Sequence, residues 1–357
     1  MILLNPGPVN VTERVKMAWN RPEICHRESE FTELLNKIRK KLKVISDVDD
    51  QYSVVVLTGS GTASLEAAIT STIRKKALLI KNGVYGDRFE EIISTYNIEK
   101  SVLEYPWTEQ PDISEVEKKL IDEPDIDTIV MVHIETTTGL VNPIDRVGEL
   151  SRRYQKVFLV DSVTGIGSEY VNIMKNNIGV CIGTSNKSIQ SFPGVSFVVI
   201  KKDLLNIMKE NKRTVYLNLY MNYEFQERGQ CPFTPALQTL YALDVALDEL
   251  IEEKVEGRIE RYKGLANYLR QGVKRLGLRL LLSPEYQSNS VTSIFLPHGI
   301  TYEYLHDRFK ENGFIIYNGL GNLNKNTFRV CNMGDITKKD IQRFLELLET
   351  FIKGKKV

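Results

Sequence analysis

A lysine, an aspartate and a glycine-rich turn are the residues of this sequence best suited to covalent chemistry. Lys187 stands in GTSNKSIQSFPG, after an apolar run and before a glycine/proline turn. A lysine held there can act as a Schiff-base nucleophile, although a solvated turn lysine is the plainer reading. Asp161 closes the apolar run KVFLV. A carboxylate buried at that point needs a cation or a protonated heterocycle as its partner. Taken alone, a loop or helix-capping aspartate is the more common case. The turn Thr58-Gly59-Ser60-Gly61-Thr62 lies between an apolar run and the helical pattern SLEAAIT. Its glycines permit a tight turn, and free amides at a helix start attract an anion. It lacks the lysine of a Walker loop and the third glycine of a dinucleotide fingerprint. A simple serine or threonine helix cap is the alternative.

These residues need elements to bring them together. Short apolar runs alternate with helical patterns from about residue 52 to 200. Tyr52–Leu57, Lys76–Ile80, Thr128–Ile134, Val157–Val160, Val180–Gly183 and Val195–Ile200 read as strands. Ser64–Ile73, Asp87–Thr95, Ile113–Leu120 and Val147–Tyr154 read as the helices between them. Near-continuous apolar strands separated by helices predict an α/β fold with a mainly parallel sheet. Ligands of such sheets bind beyond the carboxyl ends of the strands. All three features fall there, as do Asn82–Gly86, Glu135–Gly139 and Thr184–Ser185. An anion cup, a carboxylate for a ring nitrogen and an amine for an aldehyde form the set that pyridoxal 5'-phosphate requires. Past residue 252 the pattern changes. A helix over Glu252–Leu276 is expected, then short strands (Leu278–Leu282, Val291–Leu296, Phe314–Tyr317, Thr327–Cys331) and helices at Tyr302–Asn312 and Lys338–Ile352. The expected organisation is an N-terminal segment (1–20) lining the site, a large cofactor-binding domain (21–251) and a small C-terminal α+β domain (252–357).

Composition narrows the function classes. The 357 residues carry 47 basic and 46 acidic side chains, a net charge of +1. This balance gives no electrostatic reason to expect nucleic acid or a membrane surface as partner. The four cysteines (Cys25, Cys181, Cys231, Cys331) and four histidines have neither zinc-ligand spacing nor a disulfide framework, so no metal is expected. The start, MILLNPGPVN, has no basic region of a signal peptide, and no apolar run reaches the roughly 18 residues of a membrane span. A cytoplasmic location is expected. Lys81, Arg88 and the run Lys353–Lys356 read as solvated charges.

A series of motifs runs along nearly the whole chain. In order they are NPGPV (Asn5–Val9), HRESEF (His26–Phe31), TGSGTASLEA (Thr58–Ala67), NGVYGDR (Asn82–Arg88) and ETTTGLVNP (Glu135–Pro143). DSVTGIG (Asp161–Gly167), SNKSIQSFPGVSFVV (Ser185–Val199), FTPALQTLYAL (Phe233–Leu243) and TFRVCNMG (Thr327–Gly334) complete it. In these the chain resembles the class V, fold-type I, pyridoxal-phosphate aminotransferases. The resemblance is to the group of alanine–glyoxylate, serine–pyruvate and 2-aminoethylphosphonate–pyruvate transaminases. It implies that Lys187 carries the cofactor and moves the proton, and that Asp161 pairs with the ring nitrogen. Ser60, Gly61 and Thr62 would hold the phosphate. Tyr85 would stack on the ring, Val163 would pack on its other face, and Thr136 would donate to the phenolic oxygen. Arg329 would grip a substrate carboxylate, with Pro6 and Gly7 lining the entrance. Thr234 would reach the phosphate of a neighbouring subunit, which implies a homodimer with shared sites. From the residues alone, Thr234 before Pro235 reads as a helix cap. Some relatives carry tyrosine where Cys231 stands. The expected substrates are a small amino donor and pyruvate or glyoxylate, with 2-aminoethylphosphonate favoured slightly over alanine or serine as donor. A cysteine desulfurase-like lyase fits less well, because Asn186 stands where those enzymes usually have histidine and no glycine-flanked loop cysteine is present. A non-catalytic relative is disfavoured by the intact Asp161 and Lys187.

Overall fold

The computed structural model describes residues 1–354. Residues 355–357, which hold the last two lysines of the C-terminal run, lie outside the described residues. Seven strands form the main sheet: β1 (Tyr52–Thr58), β2 (Lys76–Lys81), β3 (Glu99–Glu104), β4 (Ile126–Val132), β5 (Val157–Asp161), β6 (Val180–Thr184) and β7 (Val195–Lys201). Their order is β1-β7-β6-β5-β4-β2-β3. β7 runs antiparallel to β1 and β6, and every other pair is parallel. The period-two alternation of a strand sorts its side chains between two cores. Val54 and Val56 of β1 enter one, and Val55 and Leu57 the other.

Helices cover both faces. α1 (Ser29–Ile45), α4 (Ile144–Arg153) and α5 (Leu237–Glu253) contribute to the first core. α2 (Gly61–Thr72) and α3 (Val84–Thr95) contribute to the second. Each of α2 and α3 starts directly beyond a sheet strand, so the TGSGT and NGVYG turns sit at helix N-termini.

The elements differ from expectation at three places. β3, EKSVLE, is a partly exposed edge strand whose charged residues hide it from a search for apolar runs. The single helix expected over Glu252–Leu276 is instead the end of α5 followed by α6 (Val255–Arg275). Lys254 between them has φ of +65°, which breaks the helical path. Leu278–Leu282 contributes one bridge, Leu280 to Ile294, rather than a strand.

A second, three-stranded antiparallel sheet has the order β8-β10-β9, from β8 (Val291–Phe295), β9 (Tyr317–Asn318) and β10 (Thr327–Cys331). With α7 (Tyr302–Glu311) and α8 (Lys338–Gly354) it encloses its own apolar cluster, in which Phe309 and Phe344 stack at 4.5 Å. The N-terminal strand Ile2–Leu3 pairs in parallel with Phe314–Ile315, and Cys331 N donates to Leu4 O at 2.9 Å. The next residues, Asn5–Pro8, are thereby carried toward Lys187. Among the described residues no helix is long and apolar enough to cross a membrane.

Candidate active site

The turn after β1 leaves hydrogen-bonding capacity free. Ser60 occupies the cap position of α2, yet its hydroxyl makes no capping bond. The helix cap expected of an ordinary turn serine is thus absent, and both the hydroxyl and the first amides of α2 remain for a ligand. Gly61 lies against Val163, since a Cβ there would meet Val163 Cγ2 at 3.2 Å. The anion cup therefore borders the residue expected to face a ring. Arg88 is half-exposed, in keeping with its reading as a solvated charge, and its Nη1 donates to Thr62 Oγ1 at 3.4 Å. Lys81, by contrast, is not solvated. It is buried, with Nζ 2.9 Å from Asp87, 2.8 Å from Glu90 and 3.2 Å from Glu104.

Asp161 ends β5 and is buried. Its Oδ1 accepts one hydrogen bond, from Val163 N at 2.8 Å. Loss of hydration pushes its carboxyl up to about 7, against the pull of that bond and of Lys187; Glu135 adds to the upward push. The carboxylate forms no ion pair among the described residues, so its acidity is left for a partner to restore. Lys187 follows β6. Its Nζ donates to Pro6 O. Crowding away from water holds its amine below the usual lysine range, and Arg329 pushes the same way while Cys331 and Asp161 oppose. Gly7 lets the lysine pass. With φ of +132°, it faces the lysine stem so closely that a Cβ would sit 2.9 Å from Cδ, Cε and Nζ.

Arg329 on β10 is buried. Its Nε donates to Asn318 O at 2.9 Å and its Nη1 to Thr136 O at 2.8 Å. Both partners are neutral carbonyls, and no acidic side chain pairs with it among the described residues. The fork is held in place while its charge stays uncompensated. Thr136 is buried and its hydroxyl makes no hydrogen bond among the described residues. Tyr85, in the first turn of α3, packs partly buried against the second core.

Glu135 carries a role that sequence reasoning missed. It is fully buried and accepts from Thr137 N at 3.0 Å, Thr137 Oγ1 at 2.5 Å and Gly86 N at 3.3 Å. Burial raises its carboxyl above the usual range, opposed by these bonds. It ties the turn that carries Thr136 to the turn that carries Tyr85. Gly83 packs directly on its side chain, leaving no room for a Cβ. The signal in the sequence was a lone charge opening ETTTG directly after an apolar strand.

Thr234 stands apart from this group, exposed on the chain surface. It is not the helix cap expected from its sequence. The cap position of α5 is Ala236, whose amide donates to Thr58 Oγ1 at 3.1 Å. That bond joins the Thr234 loop to the strand end of the anion cup.

The donor set fits pyridoxal 5'-phosphate. A buried carboxylate lacks a cationic partner, an amine of depressed basicity stands near it, and a helix start offers a free hydroxyl and a neighbouring guanidinium that can receive an anion. Matches to known proteins agree. The family model described as aminotransferase class-V matches residues 12–343. A 2-aminoethylphosphonate–pyruvate transaminase of Lysinibacillus sphaericus is 33% identical, covering 98% of this chain and 97% of its own length. One of Bacillus cytotoxicus is 36% identical, covering 97% and 96%. The solved ureidoglycine–glyoxylate aminotransferase of Bacillus subtilis superposes with a TM-score of 0.93 at 25% identity, covering 99% of this chain and 93% of that one. The chain belongs to the class V aminotransferases, fold-type I transferases that use pyridoxal 5'-phosphate to move amino groups.

Proposed function

We propose that the chain transfers the amino group of 2-aminoethylphosphonate to pyruvate. The names and near full-length match of the curated relatives support this choice of donor. The observation that carries the acid-binding half is Arg329, a buried guanidinium oriented by two carbonyls and lacking a counter-charge. It suits an anion that arrives with each substrate, by the bidentate geometry a guanidinium offers carboxylates and phosphonates.

The cofactor, when bound, supplies an aldehyde that captures amines and a ring that withdraws electrons from the substrate carbon. The chain's residues supply the rest. Lys187 Nζ, its basicity depressed, would hold the cofactor and would serve as the acid–base group that takes up and returns the proton. Asp161 keeps the ring nitrogen protonated, which also gives the buried carboxylate its missing partner. Tyr85 and Val163 would flank the ring, Thr136 would donate to its phenolic oxygen, and Ser60, Gly61 and Thr62 would bind the phosphate. Pro6 and Gly7 close the entrance, and the Pro6 carbonyl holds the amine of the free lysine. Thr234, exposed on its own subunit, serves the phosphate of a second one in a homodimer. Free cysteines fit a cytoplasmic location.

A donor and acceptor screen on the purified protein tests the reading. Aminoethylphosphonate with pyruvate should yield alanine and an aldehyde phosphonate. Turnover of alanine or serine with glyoxylate, and none of aminoethylphosphonate, would contradict it.

A further inference from the structure

The phosphate cup proposed above lacks a cation of its own. Its hydroxyls and helix amides carry partial charges only, whereas a bound phosphate monoester brings between one and two negative charges at neutral pH. Among the described residues one cationic side chain hydrogen-bonds to the Thr58–Thr62 turn, and it is Arg88, through Thr62 Oγ1. Arg88 is three residues beyond Tyr85 in α3, so the two share a helix face. A ring stacked on Tyr85 and a phosphate near Arg88 are thus addressed by one helical stripe.

The rotation of that helix is fixed. Buried Lys81 pairs with Asp87 and Glu90 of α3, Gly86 sits directly on the Lys81 stem, and Glu135 takes the Gly86 amide. Arg88 itself is half-exposed and has only a loose contact, Nε to Glu91 at 3.5 Å, as an acidic neighbour. Its charge is little committed elsewhere.

We propose that Arg88 is a direct ligand of the cofactor phosphate and supplies the positive charge the cup lacks. The proposal rests on the reading that the phosphate lies at Ser60–Thr62. Its test compares pyridoxal 5'-phosphate with pyridoxal, which has the same ring and aldehyde but no phosphate. Cofactor-free full-length protein is titrated with each compound by absorbance, as wild type, Arg88→Gln, Arg88→Lys and Ser60→Ala. Arg88→Gln should weaken the phosphorylated form roughly 10- to 100-fold, the range for a lost charge-assisted hydrogen bond. Pyridoxal affinity should stay within about twofold, because the ring contacts remain. Arg88→Lys should recover part of the loss. Equal weakening of both compounds would mean that Arg88 only props up α3, and no change in either would mean that it faces solvent; both overturn the proposal. Ser60→Ala separates the two readings. If it too fails to discriminate the compounds, the phosphate lies elsewhere; if it discriminates while Arg88→Gln does not, only the Arg88 assignment falls.

Discussion

Single residues here show how burial without a partner prepares chemistry. Asp161 is pushed up to about 7 from an ordinary 3.8, mainly because it is dry. The sign of its effect on stability follows. In the cofactor-free chain the folded state keeps a proton that the unfolded state has already lost over roughly pH 4 to 7, so stability falls as pH rises through that window. Cofactor-free Asp161→Asn should therefore be no more stable than wild type at pH 4 and more stable by a few kcal/mol at pH 8. Urea denaturation at both values checks this, and a difference independent of pH would contradict it. The uncharged amide of Asp161→Asn would also fail to keep a ring nitrogen protonated, so the same variant should lose about 100-fold or more in turnover. Lys187 and Asp161 could be singled out from sequence because both sit where an apolar run stops. Lys81 and Arg88 could not: their partners lie on neighbouring helices and strands, and nothing local distinguishes them from surface charges. Glu135 had a local signal, its place after an apolar strand, but its partner at Gly86 is tertiary.

At the scale of elements, the site is a set of turns held at fixed spacing. Most of the sheet was readable from its apolar runs, and the strand ends then gave the positions of the turns. The missed pieces were an edge strand rich in charge and a helix break made by the backbone of Lys254. The cross-links between turns were invisible because they are tertiary. Glu135 is the clearest case. Glu135→Ala would strand the Thr137 and Gly86 amides, at a cost of about 1–3 kcal/mol for each group left unsatisfied. Thermal unfolding should show that loss, with Glu135→Gln losing less; identical melting of Glu135→Ala and wild type would contradict the clamp. Gly7 makes a second test. Gly7→Ala needs an unfavourable φ and a Cβ 2.9 Å from the Lys187 stem. It should cut cofactor binding and turnover at least tenfold with the far-ultraviolet dichroism unchanged, since the segment lies outside both cores.

The whole molecule joins two sheets through the N-terminal segment and Arg329. The strand Ile2–Leu3 belongs to the side of the small sheet, yet its continuation reaches Lys187. Arg329, from the small sheet, holds the Thr136 carbonyl of the main-sheet side. Movement of one sheet against the other would therefore shift the Pro6–Gly7 segment and Arg329 together. The proposed sharing of sites between subunits gives a prediction at this scale. Thr234→Asp places a negative charge where a second subunit's phosphate would sit, and Lys187→Ala removes the amine. Each homodimer should be nearly inactive. Mixed and reassembled, the two should recover roughly a quarter of wild-type activity, because half of the dimers are hybrids with one intact site each. No recovery, with hybrid dimers shown to form, would contradict sharing.

The central claim is that Lys187 holds the cofactor. Purified protein should be yellow, lose that colour on borohydride reduction, and yield a peptide spanning Ser185–Val199 with the reduced cofactor's mass fixed on Lys187. Finding the mass on another lysine, or on none after full loading with pyridoxal 5'-phosphate, would contradict the account.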